Sequence, residues 1–289
     1  MHTYILLILL SAFCHSFYNF LMHKSGGSRL FLLLMFLIAC SIATTLYISS
    51  SKSLSISFPI FCIIYSASLF YVLYQIFVSK AYERGEMSRL YPLTVLSPIL
   101  VTVWASIFLH EHLNFGIVSG VVISTLGAVV MKQTTMKLAD FKQLFSKQNA
   151  YRGAGFALLA SLFYSVGSVL DKSKIGGIDL VPYLWILLTC MAGNMLILSL
   201  IFDGKIFKQY KTINWTQLAI AGVAAYVSFY SFRAALQQID VSIAVPIRTS
   251  SIIFALLFGI IFLKETISAN KIIGIITIIA GIFIINISL

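Results

Sequence analysis

Ten apolar stretches, each long enough to cross a lipid bilayer, constrain the fold of this chain more than any other feature. A transmembrane helix needs about 20 apolar residues to span a hydrocarbon core of roughly 30 Å. Because backbone N–H and C=O groups cannot stay unpaired in lipid, the stretches predict an all-α integral membrane fold with ten transmembrane helices. The stretches are residues 3–22, 30–48, 58–78, 90–109, 113–131, 153–170, 180–202, 212–232, 241–263 and 272–289.

The composition excludes an ordinary soluble domain. Of the 289 residues, 60% are hydrophobic and 10% are charged, whereas a soluble domain carries roughly 25% charged residues. The net charge of +11 comes mostly from Lys and Arg between the apolar stretches, which indicates a charge bias towards the cytoplasm. We therefore expect a surrounding lipid bilayer and no nucleic-acid partner. The four cysteines lack metal-ligand spacing, so we expect no metal and no cofactor.

One polar segment divides the chain into two parts. Residues 132–152 are polar and basic, whereas the other connections are short. We interpret this segment as a linker between a first five-helix repeat, residues 1–131, and a second five-helix repeat, residues 153–289. Because five is an odd number of spans, the two repeats must cross the membrane in opposite orientations, which is the inverted-repeat plan of secondary transporters.

Rare residues recur between the two repeats in one register. A gap-free shift of 154 residues matches Pro92 with Pro246, Glu111 with Glu265, Gly120 with Gly274 and Gly127 with Gly281. We expect the glycines to let helices approach closely in lipid. We expect each glutamate to act as a cap at the positive end of the helix that follows it, the fifth or the tenth.

These features together resemble the drug/metabolite transporter superfamily, in its ten-helix EamA type. The resemblance covers the whole chain and includes Lys24 and Lys172, each of which closes the first helix of a repeat. The motifs FLHEHLN and FLKETIS look like the family's glutamate-containing link to the fifth helix, and HSFYN, from His15 to Asn19, is similar to a first-helix motif of part of the family. The resemblance implies alternating-access movement of a small metabolite.

Arg248 is a charged residue within the ninth apolar stretch, two positions after Pro246. A charged side chain at membrane depth costs about 2.5–3.5 kcal/mol on insertion scales, so it should face a cavity or a partner. Pro246 lacks an N–H group, and we expect the helix to open just before Arg248. Arg248 could bind a substrate anion, extend to a nearby interface, or form a fixed pair with a carboxylate. Its counterpart in the first repeat is Thr94, which follows Pro92; the two prolines are the predicted hinges.

Tyrosines accompany a second arginine and also occur in the third span. Tyr226, Tyr230 and Arg233 stand at i, i+4 and i+7 on one face of the eighth span, and Tyr71 and Tyr74 share a face of the third. An aromatic ring with a hydroxyl suits a binding pocket, so we count all five as candidate substrate-binding residues. The alternatives are an interfacial aromatic belt in the eighth span and core packing in the third.

Two further spans carry polar residues on one face. His15 and Asn19 are i, i+4 neighbours in the first span, and Tyr164 and Asp171 lie in the sixth. We count His15, Asn19 and Tyr164 as candidate substrate contacts. His15 and Asp171 are the two residues that could carry a coupled proton. Histidine bonding within the bundle and a helix-end charge at Asp171 are the structural alternatives.

The sequence therefore predicts a secondary transporter for a small polar metabolite that bears an anion, bound by Arg248 at the repeat interface. The alternative is an exporter of neutral amino acids or amphiphilic compounds in which Arg248 is structural. We expect no enzymatic activity, because the spans lack clustered Asp, Glu and His for metal or acid–base chemistry. The protein could act as a monomer or a homodimer, and we expect it in the bacterial inner (cytoplasmic) membrane.

The orientation in the membrane receives two opposite predictions. Lys and Arg concentrate in the odd-numbered connections between spans, the first, third, fifth, seventh and ninth, and the positive-inside rule then places both termini outside. The family that the chain resembles usually has cytoplasmic termini.

Overall fold

The computed structural model describes most of the chain. The described residues are 3–24, 29–52, 56–84, 93–132, 153–202, 210, 213–264 and 266–289. Pro92, Glu265 and residues 133–152 of the predicted linker lie outside the described residues.

The described part of the chain contains eleven helices that cover all ten predicted spans. They are α1 (Thr3–Lys24), α2 (Arg29–Ser49), α3 (Phe58–Arg84), α4 (Ser97–Phe108), α5 (Phe115–Lys132), α6 (Ala154–Ile175), α7 (Leu180–Phe202), α8 (Trp215–Leu236), α9 (Val241–Arg248), α10 (Ser251–Leu263) and α11 (Ala269–Ile287). Eight segments are long and apolar enough to cross a membrane, and α4 and α5 are shorter apolar helices. The ninth span, Val241–Leu263, consists of α9 and α10. The predicted fold class is confirmed.

The sequence had predicted that the ninth span opens just before Arg248. This is wrong, because the span stays helical there and tightens after Arg248. Helix α9 continues through Pro246 and ends at Arg248. Two shortened turns follow, in which the Thr249 N–H bonds the Pro246 carbonyl at 3.0 Å and the Ser250 N–H bonds the Ile247 carbonyl at 3.1 Å. Pro246 is the sixth residue of a short helix, so its missing N–H affects the first turn of α9 and leaves the later turn helical.

The inverted repeat is visible where α5 packs on α11. A methyl group added to Gly120 would lie 2.7 Å from the Gly281 carbonyl oxygen, and one added to Gly127 would lie 2.9 Å from the Gly274 carbonyl oxygen. The shift of 154 residues converts the first pair into the second, so the two contacts are exchanged by the internal symmetry. Only glycine permits this approach, and the two helices run antiparallel.

Other contacts also join one repeat to the other. Helix α3 packs on α6, α1 on α8, and α2 on α7. The Ser11 hydroxyl donates to the Ser228 carbonyl at 2.9 Å, and the Ser228 hydroxyl donates to the Ser11 carbonyl at the same distance. The repeats are therefore interleaved, and residues that face inward from both repeats meet in the middle of the bundle.

We call the end of the bundle where α1 begins and α11 ends the terminal end. Contacts between elements hold this end together. The Lys172 ammonium donates to the carbonyls of Leu236 and Ile239 at 2.8 and 2.9 Å. The Gln237 amide donates to the Ile175 carbonyl at 3.1 Å, and the Asn114 amide to the Ser288 carbonyl at 2.8 Å.

Glu111 caps a different helix from the one that the sequence had predicted. Its two carboxylate oxygens accept the N–H groups of Val241 and Ser242 at 2.9 and 3.0 Å, so it caps α9 of the other repeat. The fifth helix receives its cap from Asn114, whose side chain accepts the Ile117 N–H at 2.8 Å. Glu111 stands four residues before the start of α5, and the cap position directly before that helix is taken by Asn114.

Candidate functional site

Arg248 lies at the C-terminal end of α9 among neutral partners. One terminal nitrogen, Nη1, lies 3.4 Å from the Tyr164 hydroxyl, and the other, Nη2, lies 3.5 Å from Nδ1 of His15. The guanidinium carbon lies 4.4 Å from the centroid of the Phe232 ring, a cation–π distance. The Nε–H group is buried and has no hydrogen-bond partner in the part of the chain that the structure describes. Since a guanidinium has five N–H donors, this one is only partly satisfied.

No carboxylate of a described residue forms an ion pair with Arg248. Among the described residues, the ion pairs that the structure contains join Lys52 to Asp179 and Arg233 to Asp171. A cation near membrane depth normally finds a carboxylate, a carbonyl or water. Arg248 therefore presents an unbalanced charge to the space between α1, α6 and α8.

Arg233 and Asp171 form a buried ion pair between α8 and α6. Arg233 Nη2 lies 2.7 Å from Asp171 Oδ2, and the two side chains are 2% and 0% exposed. The Tyr71 hydroxyl of α3 donates to the same oxygen at 2.9 Å. The Tyr183 hydroxyl of α7 donates to Oδ1. The carboxylate thus receives three donors from three helices, and both of its oxygens are occupied.

Arg233 makes fewer good hydrogen bonds than Asp171 does. Its Nη1 lies 3.5 Å from the Phe229 carbonyl, at the limit of a hydrogen bond. The buried Nε–H has no hydrogen-bond partner within the described ranges. The guanidinium carbon lies 4.8 Å from the Phe229 ring centroid and 5.4 Å from that of Tyr71. Aromatic faces therefore provide much of its surroundings.

Tyr164 connects the two arginines. Its hydroxyl lies against Arg248, and its ring meets the ring of Tyr71 edge-to-face, with centroids 5.9 Å apart. Tyr71 in turn binds Asp171 and lies under Arg233. We call this set the two-arginine network. Its residues come from α1, α3, α6, α7, α8 and α9, and they are His15, Tyr71, Tyr164, Asp171, Tyr183, Arg233 and Arg248.

Both repeats of this chain match a known transporter family. A sequence profile described as the EamA-like transporter family matches residues 2–132 and 151–287. The chain belongs to the EamA-like transporter family. It is an integral, multi-pass membrane protein, and the family indicates a transporter rather than an enzyme.

Two relatives of this chain carry the word transporter in their names. The uncharacterized transporter YxxF of Bacillus subtilis is 27% identical over 158 residues, which are 55% of this chain and 48% of that protein. The uncharacterized transporter YoaV of the same organism is 28% identical over 193 residues, 64% of this chain and 62% of that protein. These alignments therefore span less than two thirds of either relative. A solved crystal structure covers 99% of this chain with a TM-score of 0.77 and 15% identity, a likeness in fold alone.

The structure brings most of the predicted site residues together. His15 bonds to the Tyr18 hydroxyl at 2.5 Å, and Asn19 donates to the His15 carbonyl at 2.8 Å. Tyr74 lies edge-to-face with Tyr164, with centroids 5.1 Å apart. Thr94 is buried and lies three residues before the start of α4.

Two predicted residues of the eighth span lie apart from the network. Tyr226 and Tyr230 lie with ring centroids 6.1 Å apart, and Tyr230 is 38% exposed, whereas Arg233 is 1% exposed. Within the described residues, neither ring contacts either arginine. Tyr230 and Arg233 stand three residues apart, so their side chains leave α8 in directions that differ by part of a turn. Arg233 points inward, and Tyr230 points outward.

Sequence reasoning missed three residues of the site. Tyr183 lies in the first turn of α7, where polar residues are common at a helix end, and nothing local marks it as a partner of Asp171. Phe232, beneath Arg248, is one of many phenylalanines. Tyr18 lies inside the HSFYN motif, which was the available signal.

Proposed function

We propose that this protein is a secondary transporter that moves a small anion-bearing metabolite by alternating access, with Arg248 as the group that binds the anion. The observation that carries the proposal is the unbalanced Arg248 guanidinium, which has an unpartnered Nε–H and only neutral neighbours among the described residues. Guanidinium recognises carboxylate and phosphate through parallel N–H donors. A substrate anion would supply the charge and the acceptors that Arg248 lacks.

The neighbours of Arg248 fit a substrate body next to the anion. Tyr164 and Phe232 flank the guanidinium, and Tyr74 and Tyr71 extend the aromatic wall. Such rings bind the apolar part of a solute, and the hydroxyls can bind its polar groups. His15 and Asn19 lie on the α1 side and would complete the polar contacts.

Helical geometry supports a site well inside the bilayer. Arg248 is seven residues after the start of α9, which corresponds to a depth of about 10 Å at 1.5 Å per residue. His15 and Tyr164 are near the middle of α1 and α6. Inverted repeats place substrate near the midplane at the repeat interface, and the three residues come from both repeats.

Alternating access requires one end of the site to close while the other opens. The contacts of Lys172, Gln237 and Glu111 at the terminal end support a state closed at that end. Pro246 and the tightened turn at Thr249 and Ser250 supply a place for α9 to move relative to α10. Pro92, outside the described residues, is the corresponding proposed hinge in the first repeat.

A second candidate function is an exporter of neutral amino acids or amphiphilic compounds. It is favoured by the cation–π contact of Arg248 with Phe232, which stabilises the charge without a substrate. In that case Arg248 would be structural. For either function we propose residence in the bacterial cytoplasmic membrane, as a monomer or a homodimer.

The test compares four compounds that share a benzene ring and differ in their polar group: benzoate, benzenesulfonate, benzamide and benzylamine. Thermal unfolding of the purified protein in detergent is measured with each compound, for the wild type and for Arg248→Ala. A ligand at 100 times its Kd stabilises the folded state by about 2.7 kcal/mol, which is visible as a rise in melting temperature.

We expect the two anions to raise the melting temperature of the wild type and to have no effect on Arg248→Ala. Tyr230→Phe is the matched control and should respond as the wild type does, because Tyr230 lies apart from both arginines. A response to benzamide or benzylamine alone would support the exporter. An equal response of Arg248→Ala to the anions, or no response of the wild type to either anion, would overturn the proposal.

A further inference from the structure

In the buried ion pair of Arg233 and Asp171, both carboxylate oxygens accept hydrogen bonds, whereas the guanidinium uses only part of its N–H donors. Both oxygens of Asp171 are occupied by Tyr71, Tyr183 and Arg233. Arg233 makes one short contact, to Asp171, while its Nε–H has no partner and its Nη1 contact is 3.5 Å long. Arg233 could therefore bind a second acceptor, whereas each oxygen of Asp171 already accepts at least one hydrogen bond.

We propose that a substrate anion competes with Asp171 for Arg233, and that Asp171 takes up a proton when the anion binds. This inference rests on the proposed function, and it adds the coupling ion and the group that carries it. In the resting state Arg233 is neutralised by Asp171 and Arg248 is free for substrate. In the bound state both arginines contact the anion, and Asp171 is a neutral acid.

The geometry places Arg233 within reach of the space beside Arg248. Phe232, which lies under Arg248, is adjacent in sequence to Arg233. Tyr71 lies under Arg233 and Tyr164 binds Arg248, and the two tyrosine rings are 5.9 Å apart. The two guanidiniums are therefore separated by one pair of touching aromatic rings. A rotation of the Arg233 side chain over the Tyr71 face would bring its unpartnered N–H groups towards a shared anion.

Electrostatics links the proton to the anion. A carboxylate in a dry site is costly to keep ionised once its cation has turned away. The Asp171 carboxylate accepts one proton and becomes a carboxylic acid, while the Arg233 N–H contact passes from the Asp171 oxygen to the substrate oxygen. The new O–H can donate to the Tyr71 or the Tyr183 hydroxyl, both of which already lie against the carboxyl group. No bond to carbon changes, and the proton comes from water.

Other charged and titratable groups lie on the helix of Asp171 and on the helices that form the two-arginine network with it. On α6 the next residue is Lys172, whose ammonium is turned to the carbonyls of Leu236 and Ile239. Helix α4, as far as it is described, carries no titratable side chain. The groups on the other neighbouring elements are Tyr71 on α3, Tyr183 on α7, Arg233 on α8, Arg248 on α9, and His15 and Tyr18 on α1. His15 is thus the competing proton acceptor, and the experiment must separate it from Asp171.

Linkage makes the two binding events reciprocal. If the anion promotes protonation of Asp171, lower pH must tighten anion binding by the same coupling free energy. For a monovalent anion, one proton accompanies one negative charge. Transport of such a substrate would therefore be electroneutral, and a proton gradient would drive it in the direction of proton flow.

The experiment measures proton uptake when benzenesulfonate binds, because a sulfonate stays ionised at every pH used. Calorimetric titrations are run in two buffers whose ionisation enthalpies differ, and the difference gives the protons exchanged per anion. We expect the wild type to take up about one proton per bound anion, as linkage requires. Since His15 is itself a proposed substrate contact, His15→Gln should bind the anion more weakly, but with the same number of protons taken up per bound anion. We expect Asp171→Asn, which resembles the protonated acid, to bind the anion with an uptake near zero.

The outcomes separate a failure of the proposed function from a failure of the proposed proton uptake by Asp171. If benzenesulfonate does not bind the wild type, the proposed function fails. If it binds in an Arg248-dependent way but the wild type takes up no proton, the competition for Arg233 is wrong and the anion site remains. If uptake persists in Asp171→Asn and disappears in His15→Gln, the proton is carried by His15 and the inference is overturned.

A second measurement covers the case in which Asp171→Asn does not fold. The wild type alone, studied by infrared difference spectroscopy with and without benzenesulfonate, should gain a carboxylic-acid C=O band on binding. The double variant Asp171→Asn/Arg233→Gln removes both charges and should bind more weakly, without the band and without proton uptake. Absence of the band in the wild type would contradict the proposal without any variant.

Discussion

Arg233 on α8 and Asp171 on α6 form an ion pair of 2.7 Å in which neither side chain is more than 2% exposed. Two tyrosines, one from each repeat, complete the carboxylate shell. The pair therefore links helices of both repeats at one buried point. Burying such a pair costs desolvation free energy, and removing only one partner is strongly destabilising because it leaves an uncompensated buried charge.

We predict that single neutral substitutions of this pair destabilise the protein strongly. Arg233→Gln or Asp171→Asn leaves one uncompensated buried charge, and each should lower the free energy of unfolding by about 3–5 kcal/mol. The double variant removes both charges and should be less destabilised than the sum of the single variants. Thermal unfolding in detergent measures all three. Additive losses would show that the two side chains do not interact.

Glu111 gives a prediction about the helix that carries Arg248. Its carboxylate accepts two N–H groups at the start of α9, and it is 9% exposed. Glu111→Ala leaves both donors unpaired and should cost about 1.5–3 kcal/mol, the range for hydrogen bonds to charged groups. Because α9 holds Arg248, the variant should also weaken benzenesulfonate binding.

The control for Glu111 is the amide. Glu111→Gln keeps one acceptor oxygen and the length of the side chain, so it should lose less stability than Glu111→Ala. If both variants melt with the wild type, the carboxylate does not cap α9. Thermal unfolding and calorimetric binding of benzenesulfonate are the two measurements.

The glycines shared by α5 and α11 give a third prediction. A methyl group at Gly127 would lie 2.7 Å from the Ile278 nitrogen and 2.9 Å from the Gly274 carbonyl oxygen, so α5 and α11 must separate to admit it. Gly127→Ala should therefore cost about 1–3 kcal/mol, as overpacking does. Gly193→Ala in α7 meets nothing within 4 Å and should be neutral or stabilising by up to about 1 kcal/mol. Equal melting temperatures for the two variants would contradict the close approach.

The membrane fold could be predicted from the sequence because lipid permits few solutions. Apolar length determines the ten spans, and an odd number of spans per repeat determines the inversion, so both follow from patterns that are local in the chain. The division of the ninth span into α9 and α10 after Arg248 was not predicted. The glycine pairs were visible for the same reason, since Gly120 and Gly274 recur in one register.

The partners of the site residues could not be predicted, because they depend on rotation and contact between distant helices. Asp171 and Arg233 are 62 positions apart in the chain, near the ends of their spans, and either could have faced an interface. Tyr183 meets Asp171 only because α7 begins where α6 ends. Glu111 reaches across the repeats to α9, a contact that its own sequence neighbours do not indicate.

Tyr164 tests whether the space beside Arg248 is the binding site. Its hydroxyl lies 3.4 Å from Arg248 Nη1, and its ring joins the two arginines through Tyr71. Tyr164→Phe keeps the ring and removes the hydroxyl, so stability should change little. The variant removes a hydroxyl that lies beside Arg248 and a bound anion, so the affinity for benzenesulfonate should fall by roughly two- to tenfold, equivalent to about 0.5–1.5 kcal/mol.

The control is Tyr230→Phe, which removes a hydroxyl from the same type of residue outside the network and should leave the affinity unchanged. If both variants bind like the wild type, the Tyr164 hydroxyl takes no part in holding the arginine or the anion. If Tyr230→Phe alone weakens binding, the anion is bound on the outer face of α8, and the space between α1, α6 and α8 is not the site.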